Sequence, residues 1–137
     1  MNAGKATVTR KGEDRVARGH PWIFRSDVAK RDSCAPGAVV RVLSPRGKPL
    51  GFAFYSSRSE IELRMIERGE ELPGEFLRER LAAAIAWRAE IAPGAEAVRL
   101  VHGEGDGLPS LILDRYGPYL VLQTLSQTTD ADRKSVV

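Results

Sequence analysis

Short runs of apolar, β-type residues are parted by polar turn residues through much of residues 7 to 68, which predicts a series of short strands. The clearest runs are Ala38–Leu43, Leu50–Tyr55 and Ile61–Ile66. In the third, Ile61, Leu63 and Met65 interleave with Glu60, Glu62 and Arg64, so one face belongs to a core and the other meets water. Ser44-Pro45-Arg46-Gly47 parts the first two runs at hairpin distance, with proline presetting one turn dihedral and glycine tolerating a positive φ. Upstream, Lys11 to Gly19 predicts one short helical turn closed by Gly19 as a left-handed cap. Pro21 keeps His20 extended, and Trp22 and Phe24 fall on one side of the strand that follows, with Phe24 expected in the core.

The period changes after Arg68–Gly74, a turn-rich boundary. Glu75 to Ile91 predicts one helix, with Leu77, Leu81, Ala84 and Ile85 as its apolar stripe and Trp87 and Ile91 widening it. Strands follow at Ala97–Val101, Leu111–Leu113 and Tyr119–Leu125, the last two joined by Asp114 to Pro118. Thr129-Asp130-Ala131-Asp132 resembles a helix start, with Arg133 to Val137 as a first turn. The fold class is therefore mixed α+β: a small, strongly bent sheet, then a strand, helix and strands module.

Composition adds two constraints. A chain of 137 residues has room for one ordinary domain or two very small ones, not for a doubly wound nucleotide-binding domain plus anything else. The net charge of +3 is unevenly spread: residues 1–70 carry 14 basic and 8 acidic side chains, residues 71–137 carry 7 and 10. An anionic partner is expected on the front half. The cations are 16 Arg and 5 Lys, which suits bidentate phosphate contacts and stacking on bases as well as a codon bias. The one cysteine, Cys34, excludes an internal disulfide framework and points to a reducing, cytoplasmic compartment. No apolar leader or membrane span is expected.

Few constellations carry chemistry. His102-Gly103-Glu104 matches half of a zinc deaminase signature whose other half needs two further cysteines that the chain lacks. The glycines of Gly103-Glu104-Gly105-Asp106-Gly107 precede a strand, not the helix that a phosphate loop requires. Glu104, Asp106 and Asp114, with His102, are the material for a small hydrolase or metal site, which tight metal binding would reveal. Cys34 has neither a base nor a helix start beside it. No catalytic residue and no metal ligand is assigned. The basic and aromatic stretch from Arg10 to Arg25 is the leading candidate: Arg10, Lys11, Arg15, Arg18, His20, Trp22 and Arg25, joined by Arg46, Lys48 and Arg58, offer cations for phosphates and flat groups for unstacked bases.

Three segments then carry a resemblance: Lys11-Gly12 through Gly19-His20-Pro21-Trp22-Ile23-Phe24, Pro36 to Val42, and Gly47 to Ser56 resemble a PUA RNA-binding domain. Arg99 to Gly117, with its Gly103-Glu104-Gly105-Asp106-Gly107-Leu108-Pro109 and Asp114-Arg115-Tyr116-Gly117 runs, resembles the segment after PUA in bacterial S-adenosylmethionine-dependent large-subunit ribosomal RNA cytosine-5 methyltransferases. The resemblance implies a PUA-type β-barrel over 1–68, an EEHEE-like central module over 69–126, and a truncated linking helix over 127–137. It implies large-subunit ribosomal RNA as partner, no membrane partner, and S-adenosylmethionine as cofactor of the parent enzyme but none in this chain. Family members carry a Rossmann-like domain and a catalytic cysteine that this sequence does not match, so the expectation is an inactive RNA-binding portion. The alternative is a stand-alone RNA-binding or ribosome-associated adaptor. Oligomeric state stays open, a homodimer included.

Overall fold

The computed structural model describes residues 3–131. They divide into two compact units, Met1–Leu72 and Pro73–Val137.

The first unit holds six strands: β1 (Lys5–Val8), β2 (Trp22–Phe24), β3 (Val28–Asp32), β4 (Val39–Leu43), β5 (Pro49–Tyr55) and β6 (Ile61–Arg68). They form one sheet in the order β2-β6-β5-β4-β1-β3, antiparallel except where β1 runs parallel to β4. The two edge strands are consecutive in sequence and joined by only a 3-10 turn, Arg25–Asp27, so the sheet must curl until its edges approach. Alternation sends Ala6, Val8, Ile23, Val40, Val42, Ala53 and Leu63, all fully buried, into the hollow of that curl. The arrangement is a curled half-barrel.

Helix α1 (Arg10–Ala17) packs against β1, β2 and the 3-10 turn, and adds Val16 to the core. It runs over two turns where one is predicted, because Thr9 caps it by accepting from the Gly12 N–H at 3.2 Å. Gly12 has no side chain for a reason of space: a Cβ there would stand 2.9 Å from Cβ of Val8 and 3.1 Å from the Asp27 carbonyl oxygen. At the other end Gly19 has φ +89°, and the His20 N–H reaches back to the Arg15 carbonyl, the left-handed termination predicted.

One expectation fails in β6. Its second face is not in water: Glu62 is 1% and Arg64 8% exposed. Glu62 is tolerated there because Arg31 on β3 donates to both carboxylate oxygens, at 3.0 and 2.7 Å. Arg64 donates to the Ser56 hydroxyl at 3.2 Å and the Ile61 carbonyl at 3.3 Å. Thus charged residues in an alternating strand do not by themselves mark a solvated face. Phe24, expected in the core, is only half-buried, since Ile23 takes the inward position of β2.

The second unit contains α2 (Phe76–Ile91), β7 (Ala97–His102), a 3-10 turn (Gly103–Asp106), β8 (Leu111–Tyr116), β9 (Tyr119–Thr124) and α3 (Gln127–Ala131). Its strands form an antiparallel meander, β7-β8-β9. Described residues show the helix first and three strands after it, whereas the strands before α2 belong to the six-stranded sheet, so the EEHEE-like order is not what this unit displays. Ala84, Leu100, Val101, Leu108, Leu111 and Leu113 form the core, with Leu77 and Leu81 against it. Ile85 of the stripe predicted on α2, and Trp87 and Ile91 expected to widen it, stay exposed at 44%, 53% and 55%. β8 and β9 turn through Gly117 at φ +57° and Pro118, a tighter hairpin than predicted. The last helix starts after Ser126, whose hydroxyl accepts from the Thr129 N–H at 3.4 Å, so Thr129 lies inside the helix it was predicted to cap. The predicted turn at Arg133–Val137 lies outside the described residues. Among the described residues no helix is long and apolar enough to cross a membrane.

Candidate nucleic-acid interface

The ten residues singled out from the sequence fall at three places on the first unit. Arg10, Arg46 and Lys48 line one groove of about 540 Å³ between α1 and the β4–β5 turn, together with Glu13, Asp14 and Ser44. The turn is ordered from within. The Ser44 hydroxyl accepts from the N–H groups of Arg46 at 3.3 Å and Lys48 at 3.0 Å, and Gly47 supplies φ +85°. Two cations from one rigid turn and one from a helix start, distant in sequence, therefore converge, and all three are exposed. Lys11 and Arg18 are exposed on α1.

Arg15, His20 and Trp22 form the second place. The His20 Nδ1 accepts from the Trp22 N–H at 3.2 Å, and the two rings meet edge to face with centroids 6.3 Å apart. In a neutral imidazole that bond puts the ring proton on Nε2, so the Arg15 guanidinium 3.3 Å from Nε2 is a close neighbour and not a second donor to the same tautomer. Arg15 is held otherwise: its guanidinium carbon lies 4.8 Å from the Phe24 ring centroid, and Nε approaches the Trp22 carbonyl at 3.5 Å. It is half-buried and props an aromatic ladder. His20 and Trp22 are likewise half-buried.

Arg25 and Arg58 occupy the third place. Arg25 donates to the carbonyls of Ser57 at 2.7 Å and Ser59 at 3.3 Å, clamping the β5–β6 turn on which Arg58 is exposed. That turn is at the far end of β5 from the groove, about 20 Å away at the usual rise per strand residue. Sequence proximity thus groups Arg15 and Arg25 with Arg10, whereas the fold gives them packing roles. Two cations outside the set, Lys5 and Arg41, share the outer side of the sheet. Their signal in the sequence is the outward phase of β4, in which Arg41 stands between buried Val40 and Val42.

In the second unit the Gly103–Gly107 run is occupied by structural ties. Arg88 donates to both oxygens of Asp106 at 2.6 and 2.8 Å, and the His102 N–H adds a third bond at 2.6 Å. Arg99 grips Asp114 in the same two-pronged way at 2.8 and 3.2 Å, and Arg80 donates to the Gly107 carbonyl at 2.8 Å. The hydrogen bonds from Arg88 and Arg99 hold the carboxyls of Asp106 and Asp114 below the ordinary carboxylate range, against the opposing effect of desolvation. Asp106 and Asp114 are thus already neutralised by arginines, which takes two of its three carboxylates from the hydrolase or metal reading. Among the described residues no group of His, Cys, Asp and Glu is placed to hold a metal ion.

Residues 6–68 match the sequence profile of a PUA-like domain. The whole chain is similar to curated proteins named ribosomal RNA large subunit methyltransferase I. One from Klebsiella pneumoniae is 36% identical over 136 residues, covering 95% of this chain and 34% of the relative. One from Escherichia coli O139:H28 is 35% identical with the same coverage. This chain therefore spans about a third of the length of these relatives. Among solved structures, a protein from Streptococcus mutans described as a SAM-dependent methyltransferase superposes with a TM-score of 0.80 at 19% identity, over 99% of this chain and 36% of that one. A methyltransferase structure complexed with SAH gives 0.81 at 19% identity, again over 99% and 36%. At that identity the likeness speaks for the fold alone. Residues 6–68 thus carry a PUA-like domain, and the chain is homologous to a third of the length of the ribosomal RNA large subunit methyltransferase I proteins.

Proposed function

We propose that this chain is the RNA-docking portion of a SAM-dependent methyltransferase that forms 5-methylcytosine in large-subunit ribosomal RNA in the bacterial cytoplasm. In this reading residues 1–68 hold RNA, residues 69–126 act as a spacer, and Gln127–Ala131 starts a helix toward a catalytic domain of the kind the longer methyltransferase relatives have room for. The observation that carries the reading is the groove in which Arg10, Arg46 and Lys48 converge within the PUA-like domain. Exposed cations on two supports, with Lys11 exposed on α1 and Arg18 at its C-cap, suit the regularly spaced phosphates of an RNA backbone, and His20 and Trp22 lie on the same unit for an unstacked base.

The Gly103–Gly107 run does not fit S-adenosylmethionine. The glycine run leads into β8 and not into a helix, its Asp106 is taken by Arg88 and its Gly107 carbonyl by Arg80. The chain's own part in the reaction is to bind and orient RNA, and methyl transfer is assigned to the remainder of the parent.

A salt titration of RNA binding tests this. Each phosphate contact removed flattens the slope of log K against log salt by about 0.7–0.9, so Arg10→Ala/Arg46→Ala/Lys48→Ala is expected to flatten it by roughly two units. An unchanged slope in the triple variant, or an equal loss in Arg25→Ala, would move the interface away from the groove.

A further inference from the structure

A second site lies on the same unit, apart from the groove and independent of the reading just given. Lys5 on β1 stands opposite Arg41 on β4, and Arg41 stands opposite Phe52 on β5, so the three make one row across neighbouring strands. Their inward neighbours Ala6, Val40, Val42 and Ala53 are fully buried, which turns the row outward by alternation. It opens on a cleft of about 560 Å³ whose other walls are Glu70, Glu71 and Leu72, inside the roughly 300–1,000 Å³ usual for small-ligand sites.

Two features of the row ask for a ligand. Like charges directly opposite on adjacent strands repel, yet among the described residues no carboxylate comes within ion-pair distance of Lys5 or Arg41. An anion bound between them removes that cost. Secondly, the Arg41 guanidinium lies 5.1 Å from the centroid of Phe52, a ring that is itself 6% exposed. Phe52 is therefore not itself a stacking surface but a backing for the half-buried Arg41, which lines the cleft beside it. Glu70 and Glu71 are exposed acceptors on the opposite wall and suit a ring edge carrying adjacent N–H donors.

We propose that this cleft binds one nucleotide: phosphate at Lys5, base stacked on Arg41, and the donor edge of the base at Glu70 and Glu71, an edge that among the four RNA bases guanine presents best. The nucleotide comes either from an RNA strand or from a free mononucleotide, and the shared chemistry is the same.

The test is a titration of the full chain, followed by backbone amide NMR, with guanosine monophosphate, uridine monophosphate, inorganic phosphate and a guanine-containing RNA hexamer. Expected are shifts at Lys5, Arg41, Glu70 and Glu71 with guanosine monophosphate, weaker ones with uridine monophosphate, and an affinity about tenfold lower in Arg41→Lys, which keeps the charge and loses the plane. Tighter binding of the hexamer identifies an RNA strand as the source, and tighter binding of the monophosphate a free nucleotide. The proposal is overturned if both leave these amides unmoved, if inorganic phosphate or uridine monophosphate binds as well as guanosine monophosphate, or if Arg41→Lys binds like the parent. Because the cleft shares no residue with the groove, Arg10→Ala/Arg46→Ala/Lys48→Ala should leave the monophosphate titration unchanged, so loss of one site does not count against the other.

Discussion

Replacing Asp106 with Asn keeps the shape of the side chain and removes the charge that Arg88 was built around. The guanidinium and carboxylate are 14% and 13% exposed, partly buried, and joined by two short bonds. Leaving one member of such a pair uncompensated costs roughly 3–5 kcal/mol when fully buried, and the residual solvent contact of Arg88 brings the expected cost to about 2–3 kcal/mol. For a unit of this size that is a fall in Tm of about 10–20 °C. The loss also has a pH signature. Asp106 binds its proton less readily folded than unfolded, because Arg88 holds it below the ordinary 3.8. The stabilisation is therefore complete above that value and disappears as pH falls through the depressed one, so the deficit of Asp106→Asn should be full at pH 7 and shrink below pH 3.8. Urea unfolding of the full chain in a Trp22→Phe background, where Trp87 reports on the second unit, measures it. A deficit under about 1 kcal/mol at pH 7, or one that stays constant down to pH 2.5, would refute the assignment of Asp106 as a structural tie.

Three further outcomes follow from the first unit. Arg31→Met should destabilise it by about 3 kcal/mol, because Glu62 loses its partner at 1% exposure, whereas Lys30→Met on the same strand should change stability by less than about 0.5 kcal/mol; chemical denaturation separates them. Gly12→Ala should cost about 2 kcal/mol or more in spite of alanine's better helix propensity, since its Cβ must push α1 away from Val8 and Asp27, and a thermal melt reads the sign. Cys34, whose thiol is pushed up from the usual 9.0 chiefly by desolvation, should react with iodoacetamide more slowly at pH 8 than a free thiol, with the rate still climbing above pH 9.

The strands with dense apolar runs were legible from sequence to within two residues: β4, β5 and β6 carry such runs, parted by turn residues that include Gly47 and, further on, Ser57 and Arg58. β1 and β3 were not, because Lys5–Val8 and Val28–Asp32 are too short and too polar on one phase to announce themselves, and both exist by pairing with each other and with β4. The same limit applies to the interface. The sequence correctly marks a basic front half, but it groups cations by proximity along the chain. It cannot show that Arg25 is spent on the carbonyls of Ser57 and Ser59 or that Arg15 lies over Phe24, since those partners are long-range or out of phase. Conversely Arg46 and Lys48 meet Arg10 because β1 pairs parallel with β4, Thr7 opposite Leu43, which brings the start of α1 to the β4–β5 turn. In the second unit the distinctive glycine run drew chemical readings, and the fold answers with arginines from α2 and β7, which no local pattern connects to it.

The order of strands in the first sheet has a consequence for how the chain acquires its structure. β2, complete by residue 24, has β6, which ends at Arg68, as its one strand partner among the described residues, and β1, which can pair early with β3, gains its second neighbour only with β4. Closing such distant pairings is slow, and none of the intermediate lengths offers a finished sheet. The second unit needs only neighbouring hairpins, β7 with β8 and β8 with β9. Synthesis therefore delivers first the unit with the more distant strand pairings. Until Arg68 has left the ribosome, the nascent chain exposes unpaired strand edges beside a strongly cationic segment, the condition in which a growing chain most needs a chaperone.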